Sequence, residues 1–171
     1  MTKQTIHLAI GICEETYRHD EIHSILQQLN DTYRVTLISE KPDLEKGRWF
    51  DHSELETIDL FLFLPLIGSK LSKFANGLAD TPDLVVATQL LNRNRPVVIA
   101  LFTSDALGLN GNNLMKLMVT KNIYFVPFYQ DDPIAYPNRL VSNFKRVPDT
   151  LRYALRGKQI QPLIMARDRD D

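Results

Sequence analysis

Cysteine is nearly absent: Cys13 stands alone among 171 residues. An internal disulfide is therefore excluded, and a reducing, cytoplasmic setting is predicted. A surplus of charge is also missing. With 20 Lys and Arg against 21 Asp and Glu the formal net charge is −1, so no global field draws in nucleic acid or an anionic membrane. Any anionic ligand must be held by local groups. The longest apolar runs, Leu60–Leu66 and Val97–Phe102, fall far short of the ~20 residues that cross a bilayer as a helix. The opening Met1-Thr-Lys-Gln-Thr5 lacks the apolar stretch of a signal peptide. No Gly-x-Gly-x-x-Gly and no Walker-type loop occurs, so NAD and ATP lose ground as ligands. The histidines His7, His19, His23 and His52 show no metal-ligand spacing with cysteine or carboxylates. No metal is expected, and no serine–histidine–acid order is evident.

What remains is an alternation of apolar segments. Ile6–Ile12 reads as a first strand, and a helix follows from about Asp20 with Ile22, Ile25, Leu26 and Leu29 at helical spacing. Tyr33–Ser39 and Leu60–Leu64 supply two more strands, the latter closed by Pro65 and a turn at Gly68. Helices fit Leu71–Gly77 and Pro82–Leu91, where Thr81 is placed to cap and Pro82 takes the first helical position. Pro96–Phe102 is a fourth strand, Asn113–Lys121 a helix and Ile123–Val126 a fifth strand. The unbroken apolar runs indicate strands buried on both faces. One three-layer α/β domain over residues 1–171 follows, with a parallel sheet, helices on both faces and frayed ends at 1–4 and 166–171. The charged stretch Glu40–Thr57 reads as a surface connection, and Gln130–Asn138 as a further loop, a lid or a subunit contact.

Ligands of such sheets sit beyond the carboxyl ends of the strands. Three segments occupy that edge: Cys13–His19, Leu66–Lys73 and Thr103–Gly111. Gly68, Ser69 and Ser72 lie at a strand-to-helix junction with Lys70 and Lys73, where free N–H groups and the helix dipole favour a phosphate. A tight turn ahead of a surface helix would look the same. Cys13 ends the first strand, as a small packed residue or as a nucleophile.

The stretch Pro65-Leu-Ile-Gly-Ser-Lys-Leu-Ser-Lys-Phe-Ala-Asn-Gly-Leu-Ala-Asp-Thr-Pro82 resembles the flavin-binding segment of the flavoprotein family that includes cysteine decarboxylases and the B subunits of dipicolinate synthase. Thr103-Ser-Asp-Ala-Leu-Gly-Leu-Asn-Gly111, Lys121–Phe128, Gln130–Pro133 and Gly157–Pro162 are similar to the dipicolinate synthase B branch, and the match covers about Leu60–Leu163. The resemblance implies a Rossmann-like or flavodoxin-like sheet and bound flavin mononucleotide (FMN). Its flavin-site positions would be Gly11, Cys13, Thr16, Gly68, Ser69, Lys70, Ser72, Thr103, Ser104 and Asp105. It also implies homo-oligomers with flavin sites at subunit contacts. The implied activity is oxidation of a dihydrodipicolinate-type ring to dipicolinate during sporulation, with a nicotinamide-dependent A subunit as partner. A dicarboxylate substrate calls for cations, for which Lys70, Lys73 and Arg139 are candidates.

Departures accompany the resemblance. Where the family's first loop typically reads Thr-Gly-Ser-His, this chain has Cys13-Glu14-Glu15-Thr16, which puts two carboxylates where a phosphate is expected. The typical Thr-Gly-Asn-Ser/Thr after the third strand is Ile67-Gly68-Ser69-Lys70, and the asparagine usual after the fourth is Ser104. These changes leave open a diverged paralogue that has lost flavin and serves as an assembly or regulatory subunit. His52-Ser-Glu-Leu55 resembles the His-x-Glu-Leu stretch of the decarboxylases, which leaves open a decarboxylase with His52 as its base. A solvated loop histidine is the simpler reading of that residue.

Overall fold

The computed structural model describes residues 5–13, 18–39 and 52–167. The elements run β1 (His7–Ile12), α1 (His19–Thr32), β2 (Arg34–Ile38), a single turn α2 (His52–Leu55), β3 (Leu60–Leu66), α3 (Gly68–Ala75), α4 (Pro82–Asn92), β4 (Val97–Thr103), α5 (Gly111–Met118), β5 (Ile123–Phe125), β6 (Phe128–Tyr129) and β7 (Leu140–Ser142). A 3-10 turn over Phe144–Arg146 then leads into α6 (Val147–Ala154). Among the described residues no helix is long and apolar enough to cross a membrane.

Among the described residues the strands form a seven-stranded sheet in the order β2-β1-β3-β4-β7-β6, with β5 also on β4. The pairs β1·β2, β1·β3, β3·β4 and β4·β5 are parallel, as alternation of strand and helix predicts. The sheet is nonetheless mixed, because β7 pairs antiparallel with the end of β4 and with β6. Strands as short as β6 and β7 carry too few residues to show a period, so the fully parallel expectation is corrected here. Ser142 makes the handover. Its buried hydroxyl accepts from the Leu101 N–H at 2.7 Å and donates to the Val126 carbonyl at 3.0 Å, filling the ladder where β5 stops and β7 begins.

Alternation along the strands divides the core. Leu8, Ile10, Leu60, Leu62, Leu64, Val98 and Ala100 face α1 and α6, where Ile22, Ile25, Leu29, Val147 and Leu151 cover them. Ala9, Phe61, Phe63, Val97, Ile99 and Leu101 face the opposite way, against Leu71, Phe74, Leu84, Ala87, Leu90, Leu114 and Leu117 of α3, α4 and α5. Each large side chain buried this way contributes about 1.5–3 kcal/mol. Leu64 and Leu66 lie on opposite sides of the sheet although they are two apart. The cause is Pro65, which offers no N–H to the ladder. The β3·β4 register shifts between Phe63 and Leu66, and a one-residue bulge of this kind flips the side chains that follow. Pro65 therefore does not close β3 as expected; it bends the strand and re-aims Leu66 and Ile67.

The connection ahead of β3 also departs from expectation. Residues 40–51 lie outside the described residues, but Leu55 and Ile58 are fully buried. Arg95 fastens this segment by donating to the carbonyls of Leu55, Glu56 and Ile58. Thr81 precedes α4 but makes no side-chain cap; its hydroxyl instead donates to Asp83 Oδ1 at 2.5 Å, and that oxygen also accepts the Leu84 N–H at 2.9 Å.

Candidate functional site

At the carboxyl edge of the sheet the bulged end of β3 runs directly into α3, and β4 runs into the loop that leads to α5. Thr103, fully buried, ties the two ends together by donating its hydroxyl to the Leu66 carbonyl at 3.3 Å. Between the two loops opens a cavity of about 480 Å³ lined by Ile67, Gly68, Ser69, Ser72, Phe102, Ser104, Asp105, Leu109, Asn110 and Asn113. That size suits a small-molecule site.

Asn110 organises the wall. Almost fully buried, it donates through Nδ2 to the Gly68 carbonyl at 3.1 Å and to both Asp105 carboxylate oxygens at 3.0 Å. Its own oxygen accepts from Asn113 at 2.8 Å, and Asn113 in turn accepts from Asn76 of the α3 C-terminus at 3.0 Å. This run of amides links α3 and α5 along the cavity. Gly68 is required by close approach: a Cβ there would lie 2.9 Å from Asp105 Oδ1 and 3.3 Å from Asn110 Nδ2. The Asp105 carboxylate thus sits against the first residue of α3, where a helix leaves N–H groups without intrahelical partners.

The three cations that the sequence offers for a dicarboxylate, Lys70, Lys73 and Arg139, are each matched with an aspartate. Lys70 points inward and its ammonium donates to Asp83, with side-chain exposures of 8% and 1%. Lys73 pairs with Asp80 at 2.7 Å on the surface, a hydrogen bond that lowers the Asp80 pKa. Arg139 holds Asp131 through two bonds, Nε to Oδ1 at 2.8 Å and Nη2 to Oδ2 at 2.6 Å. Burial alone would raise the Asp131 carboxyl, but the hydrogen bonds and charge of Arg139 outweigh it and hold the group below the usual carboxylate range. The same guanidinium stacks 3.8 Å from the Tyr136 ring centroid and 5.8 Å from that of Phe102. The loop at Gln130–Asn138 is therefore anchored beside the cavity, and the Leu107 N–H donates to the Asn138 carbonyl at 3.0 Å.

Of the positions expected to form the site, the cavity gathers Gly68, Ser69, Ser72, Ser104 and Asp105. Thr103 stands behind them as a strut. Lys70 is directed to Asp83 and does not line the cavity. Gly11 and Cys13 lie buried at the end of β1, where a Cβ on Gly11 would meet Phe61 at 2.9 Å and the Asp83 side chain at 3.1 Å. Thr16, Glu14 and Glu15 fall outside the described residues, as does the side chain of His52. Phe102 and Asn113 lie outside the segments expected at this edge, while Ile67, Leu109 and Asn110 lie within them without having been named as flavin-site positions. Asn110 could have been, since it closes the Thr103–Gly111 loop at the start of a helix, a place that polar side chains favour. Among the described residues no group of three or more His, Cys, Asp or Glu is placed to hold a metal ion.

No family model matches the chain. Over 108 residues it is 47% identical to the B subunit of dipicolinate synthase of Bacillus subtilis (strain 168), a stretch that covers 63% of this chain and 54% of that protein. The match thus spans about half the length of that relative. The crystal structure of the dipicolinate synthase B subunit from Bacillus halodurans C superposes with a TM-score of 0.83 at 32% identity, covering 95% of this chain and 97% of the other. The FMN-dependent cysteine decarboxylase SpaF shares the fold, with a TM-score of 0.59 at 19% identity over 88% of this chain and 95% of its own.

Proposed function

Since the chain belongs to the family of dipicolinate synthase B subunits, we propose that it binds FMN and oxidises a dihydrodipicolinate-type ring to dipicolinate. A nicotinamide-dependent A subunit would be its partner. The observation that carries this reading is the cavity between the ends of β3 and β4. Its lining combines apolar surface with hydrogen-bonding groups, the two kinds of contact that a planar heterocycle with a polyol tail can use. Ile67, Phe102 and Leu109 offer the apolar faces, Ser69, Ser72 and Ser104 the hydroxyls, and Asp105 and Asn113 further polar groups. Bound there, FMN would supply two-electron redox chemistry, while the protein's share is to orient the ring and tune it through hydrogen bonds. Gly68 keeps the approach open, because any side chain at that position would collide with Asp105.

Among the described residues the cavity lining contains no Lys or Arg. We assign the phosphate to the neighbouring end of β1, where Gly11, Cys13 and Thr16 lie in sequence. We further propose a homo-oligomer. Leu109 at the cavity mouth is 90% exposed, and Met115 and Val119 beyond it on α5 and its C-cap are also exposed, an apolar surface that a second copy would cover.

Titration of FMN into protein stripped of ligand, followed by flavin fluorescence, tests the proposal. A saturable change is expected, and its absence would remove the enzyme reading. A second reading then stands, that of an assembly or regulatory subunit without flavin. It is favoured by the pairing of Lys70, Lys73 and Arg139 with aspartates, which leaves these cations committed within the protein rather than to a dicarboxylate.

A further inference from the structure

Asp105 is the one charged residue among the described residues that line the cavity, and its place is unusual for a pocket that is to take a phosphorylated ligand. The carboxylate lies against Gly68 at the N-terminus of α3, the position at which the partial positive end of a helix would otherwise attract an anion. It does not swing free. Asn110, 6% exposed, reaches both of its oxygens at 3.0 Å and the Gly68 carbonyl at 3.1 Å, and Asn113 fixes Asn110 in turn at 2.8 Å. An ionised carboxylate has about four acceptor directions, of which the Asn110 amide occupies part.

We propose that Asp105, clamped by Asn110, makes the cavity selective for an uncharged, donor-bearing part of its ligand. The carboxylate accepts an O–H or N–H from that part and keeps phosphate and carboxylate groups off the N-terminus of α3. Asp105 is then the specificity-determining residue and Asn110 the positioning residue. The inference rests on the flavin reading in one respect only, that the uncharged part is the ring or the ribityl chain. Its electrostatic half stands without that reading.

Two measurements separate these halves. In the first, riboflavin and FMN are titrated into native protein, Asp105→Asn and Asn110→Ala by fluorescence. Loss of a charge-assisted hydrogen bond predicts about a tenfold weakening of riboflavin in Asp105→Asn. FMN should weaken by the same factor, since its phosphate lies elsewhere. In the second, inorganic phosphate is titrated at constant ionic strength while the Gly68 and Ser69 amides are followed by NMR. These amides should stay still in the native protein, shift saturably in Asp105→Asn, and stay still again in Asn110→Ala, which keeps the carboxylate. Asp105→Ser carries the same expectations should the asparagine variant fail to fold.

Phosphate-dependent shifts of Gly68 and Ser69 in the native protein would overturn the proposal. So would an Asp105→Asn variant that tightens FMN relative to riboflavin, or one that gains no phosphate response. If native protein binds neither flavin, the flavin reading fails and the amide shifts still decide the role of Asp105.

Discussion

The Lys70–Asp83 pair offers the sharpest test of how this edge of the sheet is held together. Both side chains are nearly out of reach of solvent, at 8% and 1% exposure, and Asp83 also accepts from Thr81 and from the Leu84 N–H. Desolvating two ions costs several kcal/mol each, and their mutual attraction only offsets that cost. Removing Lys70 therefore leaves the Asp83 carboxylate buried without this cation, and removing the Asp83 charge breaks the same buried pair from the other side. Lys70→Met and Asp83→Asn are each expected to lose about 3–5 kcal/mol, a large share of the ~5–15 kcal/mol that stabilises a typical domain. For a chain of this size that is a fall in Tm of roughly 6–20 °C, at about 2–4 °C per kcal/mol. The double variant should recover most of the loss. It buries no net charge, and the amide that replaces the Asp83 carboxylate retains an oxygen for Leu84. The assay is urea unfolding at one fixed protein concentration, since self-association would otherwise shift the midpoint. Unchanged m-values would show that stability, rather than the extent of unfolding, has moved. Single losses that simply add in the double variant would refute the reasoning, because a true pair must show a coupling of at least about 2 kcal/mol.

Two further predictions concern the sheet itself. Ser142→Ala leaves the Leu101 N–H and the Val126 carbonyl without the hydroxyl that joins them, and a cost of about 2–4 kcal/mol is expected in the same unfolding assay; a loss under about 1 kcal/mol would mean that water or a shifted β7 replaces the bridge. His7 is buried between Thr36, at 2.8 Å from Nε2, and Thr57, at 3.0 Å from Nδ1. Burial, aided by the Arg34 charge, lowers its pKa against weaker raising effects from Thr57, Asp59 and Glu54. Below the unfolded value of about 6.5 the unfolded chain takes up a proton that the folded imidazole refuses. The His7 contribution is thus fully present above that pH and is lost as pH falls toward the folded pKa. Stability measured from about pH 7.5 to 5.5 should decline more steeply in native protein than in His7→Gln, and equal slopes would count against the assignment.

Much of the fold was legible in local pattern. The buried runs of β3 and β4 and the helical spacing in α1 each satisfy a period that the chain carries by itself. Other elements were not legible. The strands β6 and β7 are too short to show a period, and they exist because Ser142 and the end of β4 offer them a ladder. The cavity residues divide in the same way. Gly68, Ser69 and Ser72 could be named from their place at a strand-to-helix junction, and Ser104 and Asp105 from the family resemblance. Ile67 and Leu109 lie within the segments expected at this edge but carry no polar group to single them out, and nothing local distinguishes Phe102 from core.

By itself, then, the order of residues determined the strand and helix alternation, the buried centre and the edge at which a ligand would be met, since hydrophobic period and turn chemistry act over a few neighbours. Tertiary structure alone decided the partners of the charges. Lys70 reads as a ligand cation until α4 brings Asp83 beside it, and Asp105 reads as a loop acid until Asn110 and Gly68 pin it against a helix start. Electrostatic role depends on which groups folding places within a few ångströms, and residues 13 or 37 positions apart carry no such information in one dimension.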